Sequence, residues 1–143
     1  MATQTRYYRY GSTTYRIEQD ENREERGYLL NLETGVFQRN DDLIDEVTGA
    51  TTTSYITRTH FDNFVRYSEG VRQRLRGEGP AFALYDTIQA IHDKLQAEGR
   101  IQFEPAEAAL VQAIHKRTFP LWEEDERRRA EGLPPKNIAT GWR

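Results

Sequence analysis

Three histidines, His60, His92 and His115, are the side chains of this sequence best suited to metal ligation or to moving a proton near neutral pH. Each stands beside an apolar residue of a helical pattern: Phe61, Ile91 and Ile114. A histidine so placed usually makes one hydrogen bond at the edge of a core, and no spacing among the three requires a shared site. Cysteine is absent, which excludes disulfides and thiolate chemistry. The acids Asp41, Asp42, Asp45 and Glu46 cluster, but without the regular spacing and central glycine of a calcium loop. There is no glycine-rich phosphate loop, nucleophile elbow or paired-histidine motif. The expectation is therefore a non-enzymatic protein with no catalytic residue, metal site or cofactor.

Recognition is the other chemistry these residue types offer. Arg6, Tyr8, Arg9, Tyr10 and Arg16 lie within one short stretch, together with Tyr7 and Tyr15. Aromatic rings on a sheet can stack on a partner while neighbouring guanidiniums pair with its anions. Trp142, in a polar tail, either docks into its own domain or anchors a partner. These six, Arg6, Tyr8, Arg9, Tyr10, Arg16 and Trp142, are the candidate contacts of a protein–protein interaction or regulatory protein, with a partner protein or a second copy of the chain. The alternative is nucleic-acid binding, in which the same strands act with Arg66, Arg72, Arg74 and Arg76 to neutralise phosphates. The opposing structural reading packs half of the tyrosines under helices and leaves the arginines solvated.

Two local resemblances concern the segment from Tyr85 to Phe103. Leu95-Gln96-Ala97-Glu98-Gly99-Arg100-Ile101 resembles the end of a winged-helix recognition helix passing into its wing, which would imply major-groove reading. Pro105 and Ala106 then start a helix where the wing's second strand should come, and Asp86, Asp93 and Glu98 have the wrong sign for phosphate. Gly99, Ile101 and Phe103 also resemble the second half of an EF-hand loop. Lys94 and Pro105 fall where that family has its first and last calcium ligands.

The elements that must position these residues begin with a β-patterned region, residues 6–39. Gly11-Ser12 splits it into one hairpin, and a polar run from Gln19 to Arg26 leads to a strand at Tyr28–Leu32. Leu32-Glu33-Thr34-Gly35-Val36 fits a hairpin loop with Gly35 in a left-handed conformation, followed by a strand to Arg39. Leu29, Leu30, Leu32, Val36 and Phe37 do not alternate cleanly, so both faces of the sheet are expected to be partly covered. Residues 43–47 are too short to assign, and Thr48–Thr57 suits either a strand or a crossover.

A helical part, residues 57–132, follows. Its first helix is expected to start at Thr57 or Thr59 and to stop at Gly77-Glu78-Gly79-Pro80. A second follows Pro80 with the strongest apolar period of the chain: Phe82, Leu84, Tyr85, Ile88, Ile91 and Leu95. Pro105 suits the first position of a third, and Pro120 is expected to open a fourth that ends at Gly132. Residues 133–143 read as an irregular tail. The fold class is α+β: a small antiparallel meander of three or four strands, packed against three or four helices.

At 143 residues one domain is expected. The net charge of −3 is blocked: residues 1–16 carry +3, 17–48 carry −7, 49–77 carry +3 and 78–143 carry −2. Such alternation makes separate acidic and basic patches, which bias partner choice. No apolar run reaches the length of a membrane span, and the first residues lack the apolar core of a signal peptide, so a cytoplasmic location is expected.

Overall fold

The computed structural model describes residues 4–49 and 55–143, in two compact units, Met1–Arg72 and Gln73–Arg143. The first unit holds an antiparallel sheet of five strands in the order β4-β3-β2-β1-β5. Strands β1 (Gln4–Tyr10), β2 (Thr13–Gln19), β3 (Glu25–Leu30) and β4 (Phe37–Arg39) form the expected meander. β5 (Ile56–Thr59) returns to pair with β1. Gly35 has φ 71°, as its place in the β3–β4 turn requires. Residues 50–54, part of the Thr-rich stretch that suited either a strand or a crossover, lie outside the described residues.

Both faces of the sheet are covered, which explains the irregular alternation in β3 and β4. Tyr8, Tyr15, Ile17 and Ile56 pack on one face with Val47, from the short helix α1 (Ile44–Gly49). On the other face lies α2 (Phe61–Arg72), whose Phe64 contacts the rings of Tyr7 and Phe37 and whose Ser68 hydroxyl hydrogen-bonds Thr14 at 2.8 Å. The expected helix start at Thr57 or Thr59 is displaced. Both threonines belong to β5, where β-branched residues suit the pleat, and the first helical N–H···O bond runs from Phe64 to the His60 carbonyl.

A corner of the sheet is fixed by Gly27, which sits within β3 rather than ahead of it. Its N–H donates to the Asp41 carboxylate at 2.8 Å, and the Tyr15 hydroxyl donates to the Asn40 carbonyl at 2.6 Å. Burial first, then the Asp41 charge, push the Tyr15 phenol up to about 12, so it stays protonated and remains a donor. The Arg39 guanidinium first, then the Gly27 N–H, hold Asp41 down at about 2, so the acceptor stays ionised. A Cβ on Gly27 would stand 1.7 Å from the Tyr15 hydroxyl oxygen and 2.7 Å from the Asn40 carbonyl. Gly27→Ala is therefore expected to cost about 3 kcal/mol by overpacking, measured by urea denaturation of the purified chain. A loss below about 1 kcal/mol would show that the corner yields.

The second unit is built on two helices, α3 (Pro80–Ala97) and α4 (Pro105–Ala130). Gly99, at φ 67°, ends α3, and Glu104 with Glu107 forms a capping box at the start of α4. Arg100 binds Glu107 through two hydrogen bonds of 2.8 and 3.1 Å, which lowers the Glu107 pKa to about 2. The link between the helices forms no strand, so the wing of the first resemblance is not built.

Three further expectations are corrected here. Pro120 does not open a new helix but lies inside the 26-residue α4. An interior proline costs about 3 kcal/mol, and burial of Phe119 and Trp122 on either side of it is of a size to offset that. The helical part is interrupted by β6 (Leu75–Glu78), so the first helix stops at Arg72 and Gly77 is a strand residue. The tail is not irregular: β7 (Ile138–Trp142) pairs antiparallel with β6. Asn137 fixes this pairing, donating through its backbone N–H and its Nδ2 to buried Asp125 while its Oδ1 accepts from the Ala81 N–H.

Candidate functional site

Three places gather the side chains that suit recognition. In the first unit the expected arginine and tyrosine contacts are largely engaged internally. Tyr8 is buried in the core. Tyr10 packs on Tyr15 and Tyr55, and its hydroxyl donates to the Glu46 carboxylate at 3.0 Å; slight burial first, then Glu46, raise its pKa. Arg6 pairs with Glu25, and Arg16 pairs with Glu18 at 2.8 Å while lying over Tyr28 and Phe37. Of this set, only Arg9 is an exposed cation outside any ion pair among the described residues, and it lies 5.2 Å from the Tyr67 ring centroid.

The basic stretch from Arg66 to Arg76 is divided between the two units. Arg66 is exposed on α2, its guanidinium 5.4 Å from the same Tyr67 ring. Arg72 is fully buried, bonded to the Glu69 carboxylate at 2.9 Å and to the Gly35 carbonyl at 2.8 Å. It has no surface to offer a phosphate. Arg74 and Arg76 belong to the second unit, flanking and within β6, and both are exposed. α2 ends at Arg72 and β6 begins at Leu75, so no single helix carries the four arginines.

The second place is a recess of the first unit, about 450 Å³, lined by Thr5 and Tyr7 of β1, Arg58 and Thr59 of β5, and His60 and Phe61 where α2 begins. Periodicity did not single it out, because its residues come from three elements. The only sequence signal was the run Arg58-Thr59-His60-Phe61, which read as a helix start.

The third place is the two-stranded ribbon of β6 and β7. Trp142 is 49% exposed and Ile138 51%, at the two ends of β7, with a register shift of the pairing between them, whereas the other tryptophan, Trp122, is 1% exposed. The Arg143 side chain donates to the Leu75 carbonyl and pairs with Asp86 at 2.8 Å, which holds the end of β7. Arg74 and Arg76 stand in no ion pair among the described residues. Among the described residues the ribbon thus presents two exposed apolar side chains, two cations outside ion pairs and strands that pair only with one another.

The histidines have separate settings. His60 lines the recess, exposed His92 packs on Phe103 with the rings tilted by 54°, and buried His115 bonds Gln73 at 2.6 Å. Among the described residues no group of three or more histidines and carboxylates could hold a metal ion, and no helix is long and apolar enough to cross a membrane. Compared with protein-family models, curated proteins and solved structures, the chain matches none.

Proposed function

We propose that this chain is a non-enzymatic, cytoplasmic protein-interaction module that takes an extended, acidic segment of a partner protein on the β6–β7 ribbon. The observation that carries this reading is the exposure of Trp142 and Ile138 on one strand, beside Arg74 and Arg76. A large aromatic anchor supplies contact area at low entropic cost, and strand addition supplies backbone hydrogen bonds along an open edge. The free arginines favour carboxylates in the added strand. The ribbon is held before binding by the Asp125–Asn137 network, so little ordering cost is left for the complex.

The test is a fluorescence titration with a synthetic peptide of alternating glutamate and valine. Because Trp122 is buried, solvent quenching and spectral change report on Trp142. Binding should shift the emission to the blue, and Trp142→Ala, or Arg74→Ala with Arg76→Ala, should weaken it by about tenfold or more. A flat titration overturns the reading. A homodimer in native mass that Trp142→Ala dissolves would also overturn it, by placing a second copy of the chain on the ribbon. Binding of single-stranded DNA that is lost with salt and requires Arg9 and Arg66 would favour the nucleic-acid alternative instead.

A further inference from the structure

We infer that Arg9 of β1, with Arg66 and Tyr67 of α2, forms a binding site for the dianion of a phosphate monoester. The Tyr67 ring gathers two cations: the Arg9 guanidinium lies 5.2 Å from its centroid and the Arg66 guanidinium 5.4 Å. Both arginines are exposed, and neither enters an ion pair or a side-chain hydrogen bond among the described residues. Asp62, one turn before Arg66 on the same helix, makes no ion pair with it. An aromatic ring attracts a cation through its quadrupole but carries no net charge, so it neutralises neither. Elsewhere in the first unit Arg6, Arg16, Arg39 and Arg72 each have an acid partner.

The fold holds the three residues together before any ligand arrives. Arg9 is the cross-strand partner of Thr14, so the two side chains leave the same face of the sheet. On that face the Thr14 hydroxyl bonds the hydroxyl of Ser68, the residue after Tyr67, at 2.8 Å, and both residues are 0% exposed. This buried bond fixes α2 on the sheet at the point where Tyr67 meets Arg9. Arg66 comes from the same turn of α2, so only side chains remain to be ordered on binding.

Attraction to a ring leaves the fork of N–H donors on a guanidinium able to bond an anion, and the Tyr67 hydroxyl is a further donor. Two forks match a group that carries two charges and three terminal oxygens, which is a phosphate monoester. A carboxylate brings a single charge. A polynucleotide fits less well, because its binders line a groove with successive cations, whereas the first unit carries nine arginines against twelve acids, a net charge of −3. That balance repels a long polyanion but leaves room for a point anion held between two local cations. The site shares no residue with the β6–β7 ribbon and rests on separate observations.

The experiment is a two-dimensional NMR titration of the full chain, reading backbone amides and arginine Nε–H signals. The probes are methyl phosphate, dimethyl phosphate, a phosphoserine peptide and a short oligothymidylate. Methyl phosphate should give saturable shifts centred on Arg9, Arg66 and Tyr67, with a Kd of about 1 mM. Dimethyl phosphate, with one charge and fewer free oxygens, should bind about tenfold more weakly. Arg9→Ala and Arg66→Ala should each weaken methyl phosphate by about fivefold. Arg58→Ala removes an equal charge from the same unit at the position paired with Tyr8, on the other face of the sheet, and should leave affinity unchanged. A phosphoserine peptide that binds more tightly than methyl phosphate, and only when phosphorylated, identifies a modified protein as the source. Equal affinity of the two identifies a free phosphorylated metabolite. Absence of saturable shifts overturns the inference, as does equal affinity for dimethyl phosphate. An equal loss in Arg58→Ala would overturn it as general charge attraction, and oligothymidylate binding at least tenfold tighter than methyl phosphate would overturn it in favour of a nucleic-acid contact.

Discussion

Replacing Trp122 by alanine should leave the second unit largely unfolded at physiological temperature. The indole is 1% exposed, meets Phe82 edge to face at 5.8 Å, and donates its Nε1–H to the Tyr85 hydroxyl at 2.8 Å across α3 and α4. Truncating a buried tryptophan costs about 3–5 kcal/mol, and a Tyr85 hydroxyl deprived of its donor adds about 1–3 kcal/mol. Domains of this size are stable by only about 5–15 kcal/mol, so the sum approaches the whole. Trp122→Phe separates the two contributions: it keeps most of the ring burial and should lose mainly the hydrogen bond. Thermal unfolding followed by circular dichroism checks both, with a fall in midpoint of about 4–8 °C per kcal/mol for a unit of this length. A shift of only a few degrees in Trp122→Ala would mean that the helix pair holds without this ring.

The second large effect belongs to the first unit and concerns a buried ion pair. Glu69 and Arg72 are 0% and 1% exposed, and the guanidinium also bonds the Gly35 carbonyl in the β3–β4 turn and lies over Phe37. One interaction thus ties α2 to the far edge of the sheet. Glu69→Ala would leave the arginine charge buried without its carboxylate, at a cost of about 3–5 kcal/mol. The pair itself is a weaker contributor than that figure suggests, because both ions had to be desolvated. Glu69→Leu combined with Arg72→Met should therefore recover most of the loss, and a double-mutant cycle in urea measures the coupling. If the double variant is as unstable as Glu69→Ala alone, the Arg72 bond to Gly35 carries the stability and the charge pair does not.

The same arginine shows how a binding candidate becomes a structural residue. On a continuous helix from residue 57 to 76, Arg66, Arg72, Arg74 and Arg76 would all belong to its polar side. The sequence contains the information that this helix ends early, in Leu75-Arg76-Gly77-Glu78, but a four-residue segment has no period of its own. It becomes a strand because β7 supplies a partner more than sixty positions later, together with the Arg143 contacts to Leu75 and Asp86. Tyr8 follows the same logic. Its neighbours Arg6 and Arg9 made it look like a surface aromatic, and α1, from a segment too short to assign, buries it.

What the sequence determined by itself was local. The hairpin turn at Gly35, α3 after Pro80, the start of α4 at Pro105 and its end at Gly132 all rest on residues with restricted or permissive backbones or on a sustained period, and these act within a few positions. The α+β class followed from them. Tertiary structure decided everything that depends on a distant partner: the fifth strand, the β6–β7 ribbon, the unbroken α4 through Pro120, and which arginines remain free for a ligand. An arginine is spent or available according to whether a carboxylate from elsewhere in the chain reaches it. Glu25 and Glu18 reach Arg6 and Arg16, none among the described residues reaches Arg58, and that difference was set by the folding of the sheet.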